Sequence, residues 1–332
     1  MAQRQTTQIE SIPPDVEKRL SIQPLQSDIR SIQPGGGVCM KIELAWGTWR
    51  RWYLKTFRTA YVERMRRLRR GEPQGCPHEV LDPRDLKYYR NQTACHWDEK
   101  DDPFAWRDRL PFVRAGLAEL ILLSVICLTL AAITAFVFLP LSLVLLGFPL
   151  FFAWFFRNPQ RKVPQAPGLV VSPADGKIVA VEEVAHDELI GGPAIVIGIF
   201  LSVFNVHINR VPVTSRIIGL RYCKGKFLNA LRAASARENE QMVVQLEEDE
   251  VPHRRIIVRQ IAGAIARRIV CWVAPGERLD RGSQFGMIKL GSRTELVVPY
   301  EEGLSLLVAV GDHVRAGSSA VLKYPSNTNH HE

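Results

Sequence analysis

Three short passages in the C-terminal half carry side chains able to do chemistry. Within residues 200–212, His207, Asn209 and Arg210 cluster polar groups in an otherwise buried-looking run. An imidazole there can serve as general base, general acid or metal ligand. The same residue suits a hydrogen-bonded core position equally well, and residue types leave both readings open. Ser172-Pro173-Ala174-Asp175-Gly176 reads as a turn between strands, where Asp is common because it bonds nearby amides. The third passage contains Gly291-Ser292, a pair that recurs at Gly282-Ser283 and Gly317-Ser318. A serine hydroxyl is a poor nucleophile without an adjacent base, so residue type does not choose among the three. Lys226 suits a phosphate, or simply an exposed turn. Upstream, Cys76, His78, Cys95 and His96 are zinc-ligand types within 21 residues. Their spacing matches no standard finger, and reduced cytosolic side chains are the alternative.

The elements that must position these residues follow from the apolar patterning. The chain has 332 residues, 37.5 kDa and a net charge of +9, with pI about 9.4. Six cysteines exclude a disulfide scaffold, and the charged fraction of 23% with 46% hydrophobic residues excludes disorder of the whole chain. Residues 165–332 alternate short Val/Ile runs with Gly, Pro and Asp turns. This predicts a mostly β (α+β) domain of many short strands, with one helical stretch over 227–241. Asp175-Gly176-Lys177-Ile178-Val179 and Gly311-Asp312-His313-Val314 hint at an internal pseudo-repeat.

Residues 113–156 read as a membrane anchor. Between 115 and 156 the only charge is Glu119. A single span takes about 20 apolar residues, so this block fits two helices with a tight turn, and Pro140 favours a break. Arg107, Arg109 and Arg114 flank one side, and Arg157, Arg161 and Lys162 the other, which suits two crossings with both ends cytoplasmic. One span plus an interfacial segment is the alternative. Residues 46–112 form a basic N-terminal extension. Within 50–70 there are nine Lys/Arg against Glu63, and Trp49, Tyr53, Phe57, Tyr61, Met65 and Leu68 recur at helical spacing. Such an amphipathic helix lies on an anionic membrane surface or packs on its own domain. Residues 1–45, rich in Gln, Ser and Pro, read as a disordered leader. The basic excess sits beside an apolar anchor and no zinc-finger or RNA-recognition signature is present, so nucleic acid is not expected as a partner.

The ordered set of motifs resembles the phosphatidylserine decarboxylase proenzyme family, short bacterial type. The resemblance runs from about residue 155 to the C-terminus. It comprises Phe156-Arg157-Asn158-Pro159, the Ser172–Gly176 turn, the His207 run and Lys224-Gly225-Lys226-Phe227-Leu228-Asn229-Ala230. Glu238-Asn239-Glu240, the run from Arg281 to Ile288 and Gly291-Ser292 complete it. The resemblance implies self-cleavage between Gly291 and Ser292, into chains 1–291 and 292–332 that stay together as a heterodimer. Ser292 then becomes a covalent pyruvoyl group, with no dissociable cofactor and no metal. His207 is implied as the base and Asp175 as the residue that orients it. The implied reaction converts phosphatidylserine to phosphatidylethanolamine and CO2 through a Schiff base, at the cytoplasmic face of the cell (inner) membrane, with anionic phospholipid as partner. Longer relatives carry a second His three residues after the first; here that position is Arg210, which with Asn209 and Lys226 is a candidate for substrate binding. Homo-oligomerisation is left open. The alternative from another class is a non-catalytic, lipoyl-like binding or adaptor module on a membrane anchor, which predicts an uncut chain.

Overall fold

Short Val/Ile-rich runs fit a pleated surface buried on at least one face, and here they pair into antiparallel sheets. The computed structural model describes residues 19–26, 37–71, 95–264, 268–289 and 291–325. Two-residue strands β1 (Arg70–Gly71) and β2 (Cys95–His96) pair in the N-terminal extension. The C-terminal domain holds β3 (Leu169–Val171), β4 (Gly176–Asp187), β5 (Gly192–Leu201), β6 (Ile208–Arg210), β7 (Ser215–Cys223) and β8 (Gln241–Glu248). It continues with β9 (Arg255–Ile261), β10 (Arg268–Cys271), β11 (Arg278–Leu279), β12 (Gln284–Lys289) and β13 (Ser292–Pro299). The last strands are β14 (Ser305–Leu306), β15 (His313–Val314) and β16 (Ala320–Lys323).

An eight-stranded sheet runs in the order β11-β7-β8-β9-β13-β5-β4-β15. Two three-stranded sheets, β10-β12-β6 and β14-β16-β3, complete the domain. β13 lies between β9 and β5, so its first residue, Ser292, faces Leu201 of β5 in the ladder. β12, which precedes it in the chain, belongs to another sheet, so the Gly291-Ser292 peptide sits where the chain crosses between sheets. The two segments read as a pseudo-repeat are neighbours: His313 pairs with Lys177 and Val314 with Gly176.

The predicted helix over 227–241 is a correction. Only Ser235–Glu238 is helical, and β8 begins at Gln241. Asn239 wins the competition with helix formation. Its side chain accepts from the Leu228 amide and donates to the carbonyls of Leu228 and Ala262, holding the loop open against the end of β9.

The apolar block forms a helical hairpin, α3 (Leu117–Ala135) and α4 (Leu139–Phe155), with Pro140 in the first turn of α4. Ser142 Oγ donates to the Ala131 carbonyl across the turn. At 1.5 Å per residue the two helices are about 28 and 26 Å long. Arg114–Ala135 is long and apolar enough to cross a membrane, and Leu139–Phe155 is shorter. The base of the hairpin joins the main core: Leu117, Leu120, Phe155 and Phe156 pack in one cluster with Met65, Trp97 and the strands.

The basic extension forms two helices, α1 (Gly37–Phe57) and α2 (Thr59–Leu68), broken at Arg58. Trp97 Nε1 donates to the Met65 carbonyl and fastens α2 to the segment entering the hairpin. Helix α1 therefore starts inside the segment read as a leader. Residues 19–26 of that segment are also ordered, lying along the large sheet with the Gln23 amide donating to Ile218 and Arg19 pairing with Glu247. Cys76 and His78 lie outside the described residues, as do the side chains of Cys95 and His96.

Candidate active site

His207 and Ser292 are 0% exposed, and His207 reaches the crossover between β12 and β13 at Gly291, the residue before the serine. The His207 Nδ1 proton is donated to the Asn205 carbonyl at 2.9 Å, because a carbonyl can only accept. Nε2 is therefore the bare nitrogen, and it accepts the Gly291 amide N–H at 3.0 Å. Burial pushes the imidazole pKa down to about 4, so it is neutral near pH 7. The Phe155 ring, on the last turn of α4, packs 4.5 Å from the imidazole and keeps it dry.

Gly291 has φ +63°, a left-handed conformation that disfavours any side chain. Its carbonyl oxygen lies against Gly263, where a Cβ would stand 2.3 Å away. Next in the chain, Ser292 Oγ is buried and has no hydrogen-bond partner among the described residues. An unpaired buried hydroxyl costs about 1–3 kcal/mol and calls for an explanation.

Asp175 lies elsewhere than expected. Its carboxylate accepts from Arg161 at 2.7 Å and from the Ala316 amide at 2.8 Å, with no hydrogen bond to His207. It clamps the linker after the hairpin onto the turn that follows β15. The atom that orients the imidazole is the Asn205 carbonyl, held by a turn in which the Asn205 side chain accepts from the Ser202 amide and hydroxyl.

Arg210 points at the same linker, donating to the carbonyls of Gly282 and Pro159. Asn209 is fully buried in a polar relay. It donates to Thr294 Oγ1 at 3.0 Å and accepts from Gln260 at 2.8 Å. Lys226 is exposed and paired with Glu238 at 2.7 Å. No cluster of metal-ligating side chains occurs among the described residues.

Sequence reading missed Asn205, Gly263, Gln260 and Thr294. The only signals were a glycine immediately beyond an apolar strand and polar residues inside strands otherwise buried. It also missed the contact of Lys289 with Glu119, which ties β12 to α3 three residues before the serine.

The phosphatidylserine decarboxylase profile matches residues 148–322. A phosphatidylserine decarboxylase proenzyme of Rhodopirellula baltica is 53% identical over 239 residues, covering 72% of this chain and 99% of that protein. The chain belongs to the phosphatidylserine decarboxylase family. A family member from Symbiobacterium thermophilum is 43% identical over 223 residues, 67% of this chain and 97% of its own length. One from Syntrophus aciditrophicus is 41% identical over 221 residues, 66% of this chain and 97% of its own. Both are proenzymes by name. The family match takes in the crossover, His207, Asp175, Gly263 and the end of α4, and leaves out α1, α2 and most of the hairpin.

Proposed function

We infer that this chain decarboxylates phosphatidylserine at a pyruvoyl group made from its own Ser292, while anchored in the membrane by the α3–α4 hairpin. One observation carries the reading. The neutral Nε2 of His207 touches the amide of Gly291, a left-handed glycine directly ahead of an unpartnered serine hydroxyl.

Self-cleavage uses the chain's own atoms. His207 Nε2, once it releases the Gly291 N–H, takes the Oγ proton as Oγ attacks the Gly291 carbonyl carbon; that proton passes to the Ser292 nitrogen, which leaves as a free amine, and the amide becomes an ester. Gly291 presents no Cβ to obstruct this approach, and Gly263 leaves room for the carbonyl oxygen. Removal of the Ser292 α-proton then breaks its Cβ–Oγ bond, leaving a carboxylate on Gly291 and a dehydroalanine at 292, which takes up water and loses ammonia to become pyruvoyl; chains 1–291 and 292–332 separate. The new N-terminus stays in place because β13 is flanked by β9 and β5, while β15 and β16 remain paired with β4 and β3.

A pyruvoyl group at position 292 fits this pocket, where the side-chain oxygen of that residue has no hydrogen-bond partner among the described residues. When formed, such a group supplies an electron sink for loss of CO2. In this reading His207 Nε2 returns a proton to the substrate carbon. The hairpin brings the lipid within reach. Trp154, Arg157 and Phe204 form its base, with Arg157 4.0 Å above the Trp154 ring and bonded to the Phe204 carbonyl. The basic linker 157–162 favours an anionic headgroup.

The test is an intact-mass spectrum of the purified chain beside Ser292→Ala. The expected result is a 41-residue fragment of about 4.5 kDa with a blocked N-terminus, absent from the variant. A folded, active wild-type chain that remains whole at 37.5 kDa would sink the pyruvoyl mechanism.

A further inference from the structure

Helix α1 carries an aromatic stripe that the site at Ser292 does not use. Trp46 stacks on Trp49 at 5.0 Å, Trp49 on Tyr53 at 6.1 Å, and Tyr53 meets Phe57 at 5.3 Å. Spacings of three and four place these rings on one helix face. They are well exposed, from 41% at Tyr53 to 61% at Phe57. An exposed row of aromatics this long marks a contact surface.

Trp46, Trp49 and Tyr53 of the stripe form one wall of a 330 Å³ cavity, whose cationic lining is Arg50, Arg58 and Arg107. The opposite wall comes from Tyr61 of α2 and from Phe104 and Arg107 of the turns leading toward the hairpin. Arg107 lies 4.5 Å above the Phe104 ring, so its guanidinium is held against an aromatic face. None of the lining residues belongs to the decarboxylase strands or to the family match at 148–322.

We propose that this cavity is a second lipid site, which binds the phosphodiester headgroup of an anionic membrane phospholipid independently of the decarboxylation site. The arginines meet the phosphate, and the ring faces meet the glycerol and upper acyl region. Aromatic side chains favour this depth because they are apolar in body and polar at one edge. Charge complementarity favours an anionic lipid, since residues 50–70 carry nine basic side chains and one acid. Position favours a lipid over a soluble anion. Met65 of α2 and Trp97 pack in the same core as Leu117 and Leu120 at the start of α3, so the cavity borders the root of the hairpin. The proposal rests on the hairpin being a membrane anchor.

The test uses the full chain in nanodiscs of equimolar phosphatidylglycerol and phosphatidylcholine, released into native mass spectrometry. Wild type is expected to retain phosphatidylglycerol over phosphatidylcholine by about tenfold. Arg50→Ala with Arg58→Ala should bring the ratio near one, and Arg50→Lys with Arg58→Lys should keep most of the enrichment. Trp49→Ala with Tyr53→Ala should lower retention of both lipids. Equal retention by wild type, or unchanged enrichment in the double alanine variant, overturns the proposal. Flotation with vesicles separates this failure from that of the anchor: a wild-type chain that does not float removes the membrane reading itself, whereas a floating chain without lipid preference removes only the second site.

Discussion

The amide of Gly291 donates to Nε2 of His207 at 3.0 Å, across 84 residues of sequence. This bond holds the imidazole on the N–H of Gly291, one peptide linkage before the Gly291-Ser292 bond proposed to be cut. It also fixes the lone pair next to the scissile linkage before any substrate is present.

Replacing His207 by Gln should therefore stop self-cleavage. General bases contribute about 10²–10⁴-fold. The expected gel shows one uncut chain where wild type shows two. Cleavage at the wild-type rate in this variant would remove His207 from the processing step.

Gly263 should matter as much as the residues that carry protons. A Cβ there would stand 2.3 Å from the Gly291 oxygen, so Gly263→Ala must displace the scissile carbonyl. Misplacement by about 1 Å costs on the order of 100-fold in rate. The half-time for appearance of the small fragment measures this. Added hydroxylamine, which cuts esters, should fail to rescue the variant, because the displaced carbonyl never forms the ester. Rescue would place the defect at the later elimination step.

Asp175→Asn should act on stability. The variant leaves Arg161 without its charge partner at 2.7 Å, in a site where the two side chains are 11% and 10% exposed. Breaking a buried pair from one side costs about 3 kcal/mol. Denaturant midpoints should fall accordingly, and the linker at 157–166 should become sensitive to protease.

The pH dependence follows from the imidazole at about 4, against an ordinary value of 6.5. Since the fold favours the neutral form, the unfolded chain binds the extra proton between these two values. Stability contributed by His207 is complete above pH 6.5, declines as pH falls through the window, and levels off below about 4. The loss is about 3 kcal/mol. In the uncleavable Ser292→Ala background, adding His207→Gln should flatten that slope. Phe155→Ala should lower Tm, with about 3–5 kcal/mol lost. By admitting water to the ring, it should also move the acid limb of cleavage upward from pH 4 toward 6.5.

Much of the architecture could be read from local pattern. The many short strands of residues 165–332 and the break at Pro140 both followed from neighbours in the chain. Residues 227–241 misled because Ala, Leu, Arg and Glu favour a helix locally, whereas the bond from Asn239 to Ala262 spans 23 residues.

The sequence by itself determined the family and the apolar block, because motif order and composition are written along one dimension, and the cut at Ser292 is proposed from that same motif order. The tertiary structure alone decided which groups meet. It assigned Asn205 to the imidazole, Asp175 to Arg161, Gly263 to the Gly291 carbonyl and Phe155 to the wall over His207. Hydrogen-bond partners and burial depend on residues far apart in the chain, and only the crossing of two sheets at Gly291-Ser292 brings those residues within contact distance.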